Sequence, residues 1–236
     1  MTCLLLASRN PHKLTEVRAI LGTSVICKSL QDYPGAPEVL EDAKTFAGNA
    51  TKKAVALATW LASRRDTEQG TRGTLPLYVL ADDSGLEVDA LRGAPGVHSA
   101  RLAALDARKS GNSSDTDNNA KLLRLLADVP GERRTARFRC VLALTPVHEP
   151  SARSSSPVCY ADELELATEL FEGSCEGRIG FERKGQAGFG YDPLFTPEGQ
   201  ELTFGELGEE IKNKLSHRAE ALAKLRVRLA KLPETV

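Results

Sequence analysis

The sequence predicts an α/β fold, because short apolar runs typical of buried strands alternate along the chain with segments that carry helix signals. The run from Thr2 to Ala7 has the length and composition of a first strand. Asn10 and Pro11 follow it, an N-cap residue and a proline at the first helical position, and predict that a helix begins there. The run from Leu77 to Ala81 predicts another buried strand.

Apolar spacing and capping residues predict the remaining helices. The first helix ends at Gly22, the second spans Thr45 to Leu61 with Thr45 as its cap, and the third spans Asp117 to Ala127. The last begins after Ser216, its N-cap, and ends before Pro233.

One further strand and two polar segments complete the outline. Ala136 to Leu144 alternates apolar and basic residues and then becomes wholly apolar, which is typical of a strand that runs from a sheet margin inward. Ala62 to Pro76 is predicted to be an exposed loop or a frayed helix end. Pro146 to Pro157 is predicted to be a surface loop of low complexity.

The composition narrows the class of protein. The chain has 236 residues, enough for one large domain or two lobes that share a sheet. Because 31 Lys and Arg nearly balance 32 Asp and Glu, the net charge does not indicate a polyanion-binding surface. The five cysteines show no C-x-x-C spacing, which argues against a disulfide framework or a zinc site and favours reduced thiols in the cytoplasm. We expect neither a signal peptide nor a membrane-spanning segment.

Two adjacent carboxylates, Asp82 and Asp83, follow the strand predicted for Leu77 to Ala81. We expect them at its carboxyl end, the edge of an α/β sheet where ligands and catalytic groups gather. Because neighbouring carboxylates repel each other, a hard cation such as Mg²⁺, with a phosphate-bearing substrate, suits them. The alternative is a polar junction between strand and turn, since Asp, Ser and Gly are ordinary turn formers.

The loop from Ser8 to Lys13 is a candidate anion site. Free backbone N–H groups at a helix start attract anions, and Lys13 adds a positive charge in the first turn. The spacing G-x-x-x-x-G-K-[ST] is absent, so this is not a Walker loop. The alternative is that Asn10 only caps the helix and that Lys13 is a solvated surface residue.

Lys53 falls on the apolar face of the second predicted helix. That face is formed by Phe46, Ala50, Leu57 and Leu61. A lysine in this position must either extend to solvent or meet an anion, because an unpaired buried ammonium is costly. Glu41, just upstream, is a carboxylate that is placed to share a metal with the acidic pair.

Two further segments are candidates for ligand recognition. The glycine-rich stretch GQAGFGYDPLF leaves Phe189 and Tyr191 on a loop, where a ring can be presented to a planar ligand; the alternative is a turn that packs its own aromatic residues. In KNKLSHR, His217 and Arg218 lie in the first turn of the last helix, with donors suited to a carbonyl or phosphate oxygen; the alternative is an ordinary surface pair.

These segments resemble the inosine triphosphate pyrophosphatase family, which hydrolyses noncanonical purine nucleoside triphosphates. The similarity runs from Thr2 to about Leu225 and is interrupted only by the two polar segments. Five motifs carry it in the same order: Asn10 to Lys13, Glu41 to Lys53 with its TF-x-x-NA core, ADDSGL-x-VDAL-x-GAPGVHSAR, GFGYDPLF and K-x-x-x-SHR.

The resemblance implies a single domain over residues 1–236, in which a long twisted mixed β-sheet with flanking helices forms two lobes around a central nucleotide-binding cleft. It implies a homodimer whose substrate is a small nucleoside triphosphate. The composition, rather than the resemblance, predicts a cytoplasmic location and no nucleic-acid or membrane partner. The resemblance also implies a Mg²⁺-dependent reaction in which water attacks the α-phosphorus of ITP, dITP or XTP and releases pyrophosphate.

The resemblance also assigns roles to individual residues. Asp83 matches the proton acceptor and metal ligand, Glu41 matches the other metal-binding acid, and Asp82 is a supporting ligand or orienting group. Ser84 matches a substrate contact. The triphosphate positions are Lys53 and the loop Ser8, Arg9, Asn10, Pro11, His12 and Lys13. The nucleobase positions are Phe189, Gly190, Tyr191, Asp192, Lys212, His217 and Arg218.

The chain departs from the family pattern at three places. Arg9 replaces a common glycine, Gly48 replaces a common glutamate, and Ala43-Lys44 replaces a common Thr-Gly pair. These departures bear on metal affinity and on the path of the loop. Two alternative functions remain open: a pyrophosphatase for a modified pyrimidine triphosphate or for dTTP, and a nucleotide-binding sensor that has lost catalysis.

Overall fold

The computed structural model describes residues 2–65, 76–107, 111–147 and 163–232. Within these ranges the strands are β1 (Thr2–Leu6), β2 (Val25–Ser29), β3 (Tyr78–Val88), β4 (Thr135–Pro146), β5 (Glu169–Ile179) and β6 (Phe195–Pro197). The α-helices are α1 (Pro11–Leu21), α2 (Phe46–Arg65), α3 (Ala104–Ala107), α4 (Asp115–Leu125), α5 (Glu163–Leu166), α6 (Phe204–Leu215) and α7 (His217–Leu229).

The strands form one mixed sheet in the order β2-β1-β3-β4-β5-β6. β1 is parallel to both β2 and β3, whereas β5 and β6 are antiparallel. Both types of pairing in one sheet, together with the helices between the strands, confirm the predicted α/β fold class.

The chain divides into two compact units. The first comprises Met1–Asp83, Val141–Phe171 and Leu222–Val236, and the second comprises Ser84–Cys140 and Glu172–Ala221. The chain therefore passes from one unit to the other within β3, β4, β5 and α7.

Each unit has its own buried apolar residues. In the first, Leu4, Leu5 and Leu6 of β1 are buried, and so are the four residues predicted for the apolar face of α2. In the second, the rings of Phe138 and Phe195 lie 4.6 Å apart between centroids. The members of this second core are Leu86, Val88, Leu102, Leu122, Leu126, Ala136, Phe138, Cys175, Ile179, Tyr191, Leu194, Phe195 and Phe204.

Three predicted helix starts are confirmed by their capping bonds. The backbone N–H of His12 donates to Asn10 Oδ1 at 2.9 Å. At the start of α2, the N–H of Gly48 donates to Thr45 Oγ1 at 3.1 Å. At the start of α7, the N–H of Ala219 donates to Ser216 Oγ at 3.1 Å. In each case a polar side chain satisfies a donor that the helix leaves open.

The prediction that a strand ends at Ala81 is wrong. β3 continues to Val88, because Leu86 and Val88 lie two residues apart and bury their side chains in the second core. The backbone N–H of Leu86 also donates to Ser99 Oγ at 2.9 Å. The acidic pair therefore lies inside β3 rather than at its carboxyl end.

Several predicted boundaries differ from the observed ones. α2 extends past Leu61 to Arg65, because Ala62 is also buried. α4 covers Asp115–Leu125 rather than the predicted Asp117 to Ala127, because Ser114 is its N-cap and accepts a bond from the N–H of Asp117. β4 is longer than predicted at both ends, and α7 ends at Leu229. Residues 66–75 and 148–157 of the predicted polar segments lie outside the described residues.

Sequence reasoning missed β2, β5 and α6. The polar residues that alternate along β5 hide its strand pattern, since they remain exposed while Cys175 and Ile179 are buried. α6 has a readable signal, a capping box in which Thr203 and Glu206 each accept a bond from the other's backbone. In the described part of the chain, no helix is both long and apolar enough to cross a membrane.

We expect Gly173→Ala in β5 to lower the free energy of unfolding by about 1–3 kcal/mol. A Cβ atom at this position would lie 2.1 Å from the carbonyl oxygen of His217 and 2.7 Å from the nitrogen of Ala221, so the start of α7 would have to move. Urea unfolding measures the change. Gly180→Ala is the control, because its added methyl group would meet no atom closer than 3.5 Å and is expected to change stability by less than about 0.5 kcal/mol. Equal losses in the two variants would contradict the close approach.

Candidate functional site

The acidic pair lies on β3 just beyond the end of its parallel neighbour. β1 ends at Leu6, which is in register with Leu80, and the N–H of Ala7 donates to the carbonyl oxygen of Leu80 at 2.8 Å. The chain then leaves the sheet toward α1. Asp82 and Asp83 are therefore at the carboxyl edge of β1, although β3 continues, and both are buried.

Asp82 is held by two lysines. Lys13 Nζ forms an ion pair with Asp82 Oδ1, and Lys53 Nζ donates to the Asp82 carbonyl oxygen at 3.2 Å. The Lys13 side chain is only 20% exposed. The alternative interpretation of Lys13 as a solvated surface residue is therefore wrong. α1 places this ammonium group next to β3 because Asn10 fixes the start of the helix.

Lys53 meets an anion instead of extending to solvent. Its Nζ lies 3.0 Å from Glu41 Oε1, and its side chain is 12% exposed. One lysine on the buried face of α2 thus contacts both Glu41 and the backbone of Asp82. Lys52, which directly precedes Lys53 on the same helix, is more exposed and pairs with Asp42 at 2.6 Å.

Of the acids Glu41, Asp82 and Asp83, Asp83 has the most unusual environment. Burial raises the pKa of its carboxyl group to about 6, and the negative charge of Glu41 acts in the same direction. A hydrogen bond with Asn49 and the charges of Lys53 and Lys13 oppose this shift. Among the described residues, Asp83 Oδ2 is buried and has no hydrogen-bond partner. This oxygen is therefore open to a ligand, a cation or a proton.

The three acids do not form a ready metal cluster. Within the described ranges, no group of three or more His, Cys, Asp or Glu side chains is arranged to hold a metal ion. Asp83 nevertheless fits a hard cation, because it offers a buried carboxylate oxygen that has no partner among the described residues, and Glu41 is a second oxygen donor whose charge acts on Asp83. The ion pair with Lys13 makes Asp82 a weaker candidate ligand.

The rest of the Ser8 to Lys13 loop is shaped by local bonds. Ser8 Oγ accepts from the N–H of Asn10 at 3.1 Å, while Pro11 and His12 are exposed. The guanidinium group of Arg9 turns away along the chain: it donates to the carbonyl oxygen of Ala36 at 3.4 Å and lies 3.6 Å from Glu38. The additional cation at this position is thus directed to the segment that precedes Glu41.

Two departures from the family pattern are linked by steric contact. A Cβ atom at Gly48 would lie 2.8 Å from Ala43 Cβ and 3.1 Å from Thr45 Oγ1. With Ala43 in its present place, there is no room for a side chain at Gly48. The loop before α2 therefore follows a path that depends on the glycine, and Asn49 of α2 accepts the N–H of Ala43 in this loop at 2.8 Å.

In the second unit, a buried ion pair supports an aromatic ring. Lys212 Nζ lies 2.7 Å from Asp192 Oδ2, and both side chains are buried. The same carboxylate oxygen accepts from the N–H of Phe189 at 2.8 Å. Lys212 Nζ also lies 4.2 Å from the centroid of the Phe189 ring, within the range of a cation–π contact.

His217 and Arg218 are buried, so the alternative interpretation of a surface pair is wrong. The His217 ring stacks on Phe138, with centroids 4.8 Å apart and an angle of 13° between the planes. Arg218 Nη2 donates to Ser84 Oγ at 3.3 Å. Arg218 Cζ also lies 5.7 Å from the centroid of Phe189, which places this guanidinium near the same ring as Lys212.

Tyr191 does not present its ring as the sequence suggested. It is buried in the second core, its hydroxyl donates to the carbonyl oxygen of Ser99 at 2.8 Å, and burial raises its pKa. Phe189 is half-buried, and Gly190 lies between Phe189 and Tyr191 in the sequence. Of the two aromatic residues in this loop, only Phe189 has the exposure that a planar ligand requires.

Sequence reasoning missed Asn49 as a functional residue. It is buried and hydrogen-bonded to Asp83. Its signal is the spacing in TF-x-x-NA, which puts Asn49 one helical turn before Lys53 on the same face of α2.

Comparison with known proteins gives a consistent picture. The sequence model of the Ham1 family matches residues 4–228. The dITP/XTP pyrophosphatase of Desulforamulus reducens is 46% identical over 94% of this chain and 92% of its own length. The dITP/XTP pyrophosphatase of Opitutus terrae is 42% identical over 93% of this chain and 95% of its own length.

Solved structures agree. A HAM1 protein from Coxiella burnetii superposes with a TM-score of 0.73 at 32% identity, over 98% of this chain and 100% of that one. A nucleoside-triphosphatase, or dITP/XTP pyrophosphatase, from Mycobacterium abscessus gives 0.62 at 37% identity, over 95% and 98% of the two chains. The resemblance drawn from the motifs is thereby confirmed, and the chain belongs to the Ham1 family.

Proposed function

We propose that this chain hydrolyses noncanonical purine nucleoside triphosphates, such as ITP, dITP and XTP, to the nucleoside monophosphate and pyrophosphate. One observation carries the proposal: the buried Asp83 oxygen without a partner among the described residues, under the influence of two lysines and Glu41. Membership of the Ham1 family supports the reaction, and the names of the relatives support the substrates.

The proposed reaction needs positioned charge and one proton acceptor. A water oxygen bonds to the α-phosphorus, the bond from that phosphorus to the bridging oxygen breaks, and pyrophosphate leaves with the electron pair. The proton of the water passes to Asp83 Oδ2, which is suited to accept it because no other hydrogen bond occupies this oxygen among the described residues. Lys13 and Lys53 balance negative charge on the phosphate oxygens.

Asp83 and Glu41 are the residues that we propose for Mg²⁺. Both offer carboxylate oxygens, which hard cations prefer. When bound, the ion would neutralise charge on the triphosphate. Asp82 then has a different role, because its ion pair fixes the ammonium group of Lys13. The prediction of Asp82 as an orienting group is favoured over its prediction as a metal ligand.

For the base, we propose the cluster around Phe189. The half-buried ring of Phe189 is suited to stacking, and Lys212 Nζ and Arg218 Cζ lie 4.2 and 5.7 Å from its centroid. These cations and His217 provide donors for the 6-keto oxygen of hypoxanthine or xanthine. A 6-amino purine would oppose the donors with its own N–H groups, and such mismatches discriminate strongly between substrates.

Other parts of the proposal rest on the family resemblance alone. They are a single domain over residues 1–236 and a homodimer. We also propose dependence on Mg²⁺, for which Asp83 and Glu41 offer oxygen donors, and a cytoplasmic location. The free cysteines among the described residues, Cys3, Cys27, Cys140 and Cys175, are compatible with a reducing compartment.

A parallel panel of triphosphates tests the proposal. ITP, dITP, XTP, GTP, ATP and dTTP are incubated with the enzyme, with and without Mg²⁺, and the products are separated by chromatography. We expect monophosphate and pyrophosphate from the first three, only with Mg²⁺. Release of orthophosphate would contradict the reaction, preference for dTTP would favour the pyrimidine alternative, and tight ITP binding without products would favour the sensor.

Asp83→Asn is expected to reduce turnover of dITP by about a hundredfold or more, because it removes the proton acceptor. Pyrophosphate release under saturating substrate measures the effect. The control is Asp42→Asn, which neutralises an exposed carboxylate of the same loop region and is expected to retain activity. Full activity of Asp83→Asn would exclude this carboxylate as the acceptor.

Lys53→Met is expected to lower kcat/KM for dITP by about tenfold or more, because a charge-assisted contact to phosphate would be lost. Lys52→Met is the matched control, one residue away on α2 but exposed and paired with Asp42. Its kcat/KM is expected to stay within about twofold of the unchanged protein. Similar effects of both substitutions would assign the loss to general surface charge.

In protein stripped of divalent ions with EDTA, we expect Asp83→Asn to gain stability relative to the unchanged protein as the pH rises. The carboxyl pKa is about 6 in the folded chain and about 4 in an unfolded chain, so between these values the folded state binds more protons and its stability falls with rising pH. The asparagine variant lacks this loss. Urea unfolding measures the free energy of unfolding of both proteins between about pH 4 and about pH 7.5. Over this range the value for Asp83→Asn minus that for the unchanged protein should rise by roughly 2 kcal/mol. A difference independent of pH would contradict the burial of an ionisable Asp83.

A further inference from the structure

Two side chains of α4 form hydrogen bonds with the backbone of Gly190, the residue that follows Phe189. The N–H of Gly190 donates to Asp115 Oδ2 at 2.7 Å, and its carbonyl oxygen accepts from Asn119 Nδ2 at 2.8 Å. Asp115 and Asn119 are one helical turn apart, so the two side chains lie on the same face of α4. Together they satisfy both the N–H and the carbonyl group of one loop residue.

Gly190 needs such support because its backbone is in the left-handed region, with φ of 63°. Apart from its chain neighbours, no atom of the described residues would lie within 4 Å of a Cβ atom at this position, so nothing packs against that side of the residue. Glycine has the widest conformational freedom of all residues. The two bonds from α4 therefore select one backbone conformation between Phe189 and Tyr191.

Asn119 holds this carbonyl at an energetic cost. The residue is fully buried, and its Nδ2 also donates to the carbonyl oxygen of Asp115 at 2.5 Å. Exchanging the amide oxygen and nitrogen would set an oxygen against two carbonyl oxygens, so the donor must face this way. As a result Asn119 Oδ1 is buried without a hydrogen-bond partner among the described residues. Such an unsatisfied group is more typical of a functional constraint than of a packed core.

The neighbouring residues are fixed independently. Asp192 accepts the N–H of Phe189, and the Tyr191 hydroxyl donates to Ser99. Gly190 lies between these two residues, and the two bonds from α4 fix its backbone.

We propose that Asp115 and Asn119 are positioning residues for purine recognition: they fix the Gly190 peptide and thereby the place of the Phe189 ring. The inference rests on the proposed function, because it assigns Phe189 to the base. Neither residue touches the reacting atoms. Loss of a bond to the Gly190 backbone should weaken base binding equally in the ground state and in the transition state. KM should therefore rise while kcat stays unchanged.

The pair Asp115→Asn and Asp117→Asn tests this inference. Both aspartates lie in the first turn of α4, but Asp117 accepts from Ser114 Oγ and, in the part of the chain that the structure describes, makes no bond to the loop. We measure kcat and KM for dITP, the affinity for IMP, and inhibition by tripolyphosphate, which has no base. Asp115→Asn should raise KM for dITP and weaken IMP binding by about tenfold, with kcat and tripolyphosphate inhibition within about twofold. Asp117→Asn should change none of these.

A second pair separates positioning from folding. Asn119→Ala and Asn118→Ala each remove a buried amide, but Asn118 bonds to Ala103 and Ala100 instead of Gly190. Both should lower the melting temperature, and only Asn119→Ala should raise KM for dITP relative to the tripolyphosphate inhibition constant. Equal changes toward dITP and tripolyphosphate, or unchanged KM in both Asp115→Asn and Asn119→Ala, would overturn the inference. If the unchanged protein releases no pyrophosphate from dITP, the proposed function fails; if it does and the variants match their controls, only the positioning role fails.

Discussion

The burial of two adjacent carboxylates within one strand is the constraint on which the first unit depends. A buried charge is tolerated only with partners, and the two aspartates obtain them differently. Asp82 is paired with Lys13, while Asp83 is bonded to Asn49 and keeps one oxygen open among the described residues. Adjacent residues of a strand point to opposite faces, so one sequence doublet yields an ion pair and, among the described residues, a carboxylate oxygen without a partner.

The second unit repeats this solution with different parts. Asp192 and Lys212 form a buried ion pair that also holds the backbone of Phe189. Here too an acid holds a lysine in one place. Buried ion pairs generally add little net stability, so we assign these two pairs a positioning role. The proposed phosphate contacts of Lys13 and the proposed base contacts of Lys212 each depend on such a pair.

Local chemistry made parts of this structure predictable from sequence. The caps Asn10, Thr45 and Ser216 placed three helix starts, because capping depends on residues within one turn. The end of β3 was not predictable in the same way, since Leu86 and Val88 extend the strand only by packing in a core assembled from distant segments. Asn119 was missed for the same reason: its bond to Gly190 joins positions 71 residues apart.

The contact between Ala43 and Gly48 couples two positions of the chain. Because a Cβ atom at Gly48 would lie 2.8 Å from Ala43 Cβ, the two positions cannot vary independently. A scan that substitutes one position at a time would therefore overstate how strictly position 48 requires glycine, since a change at position 43 alters the room available there.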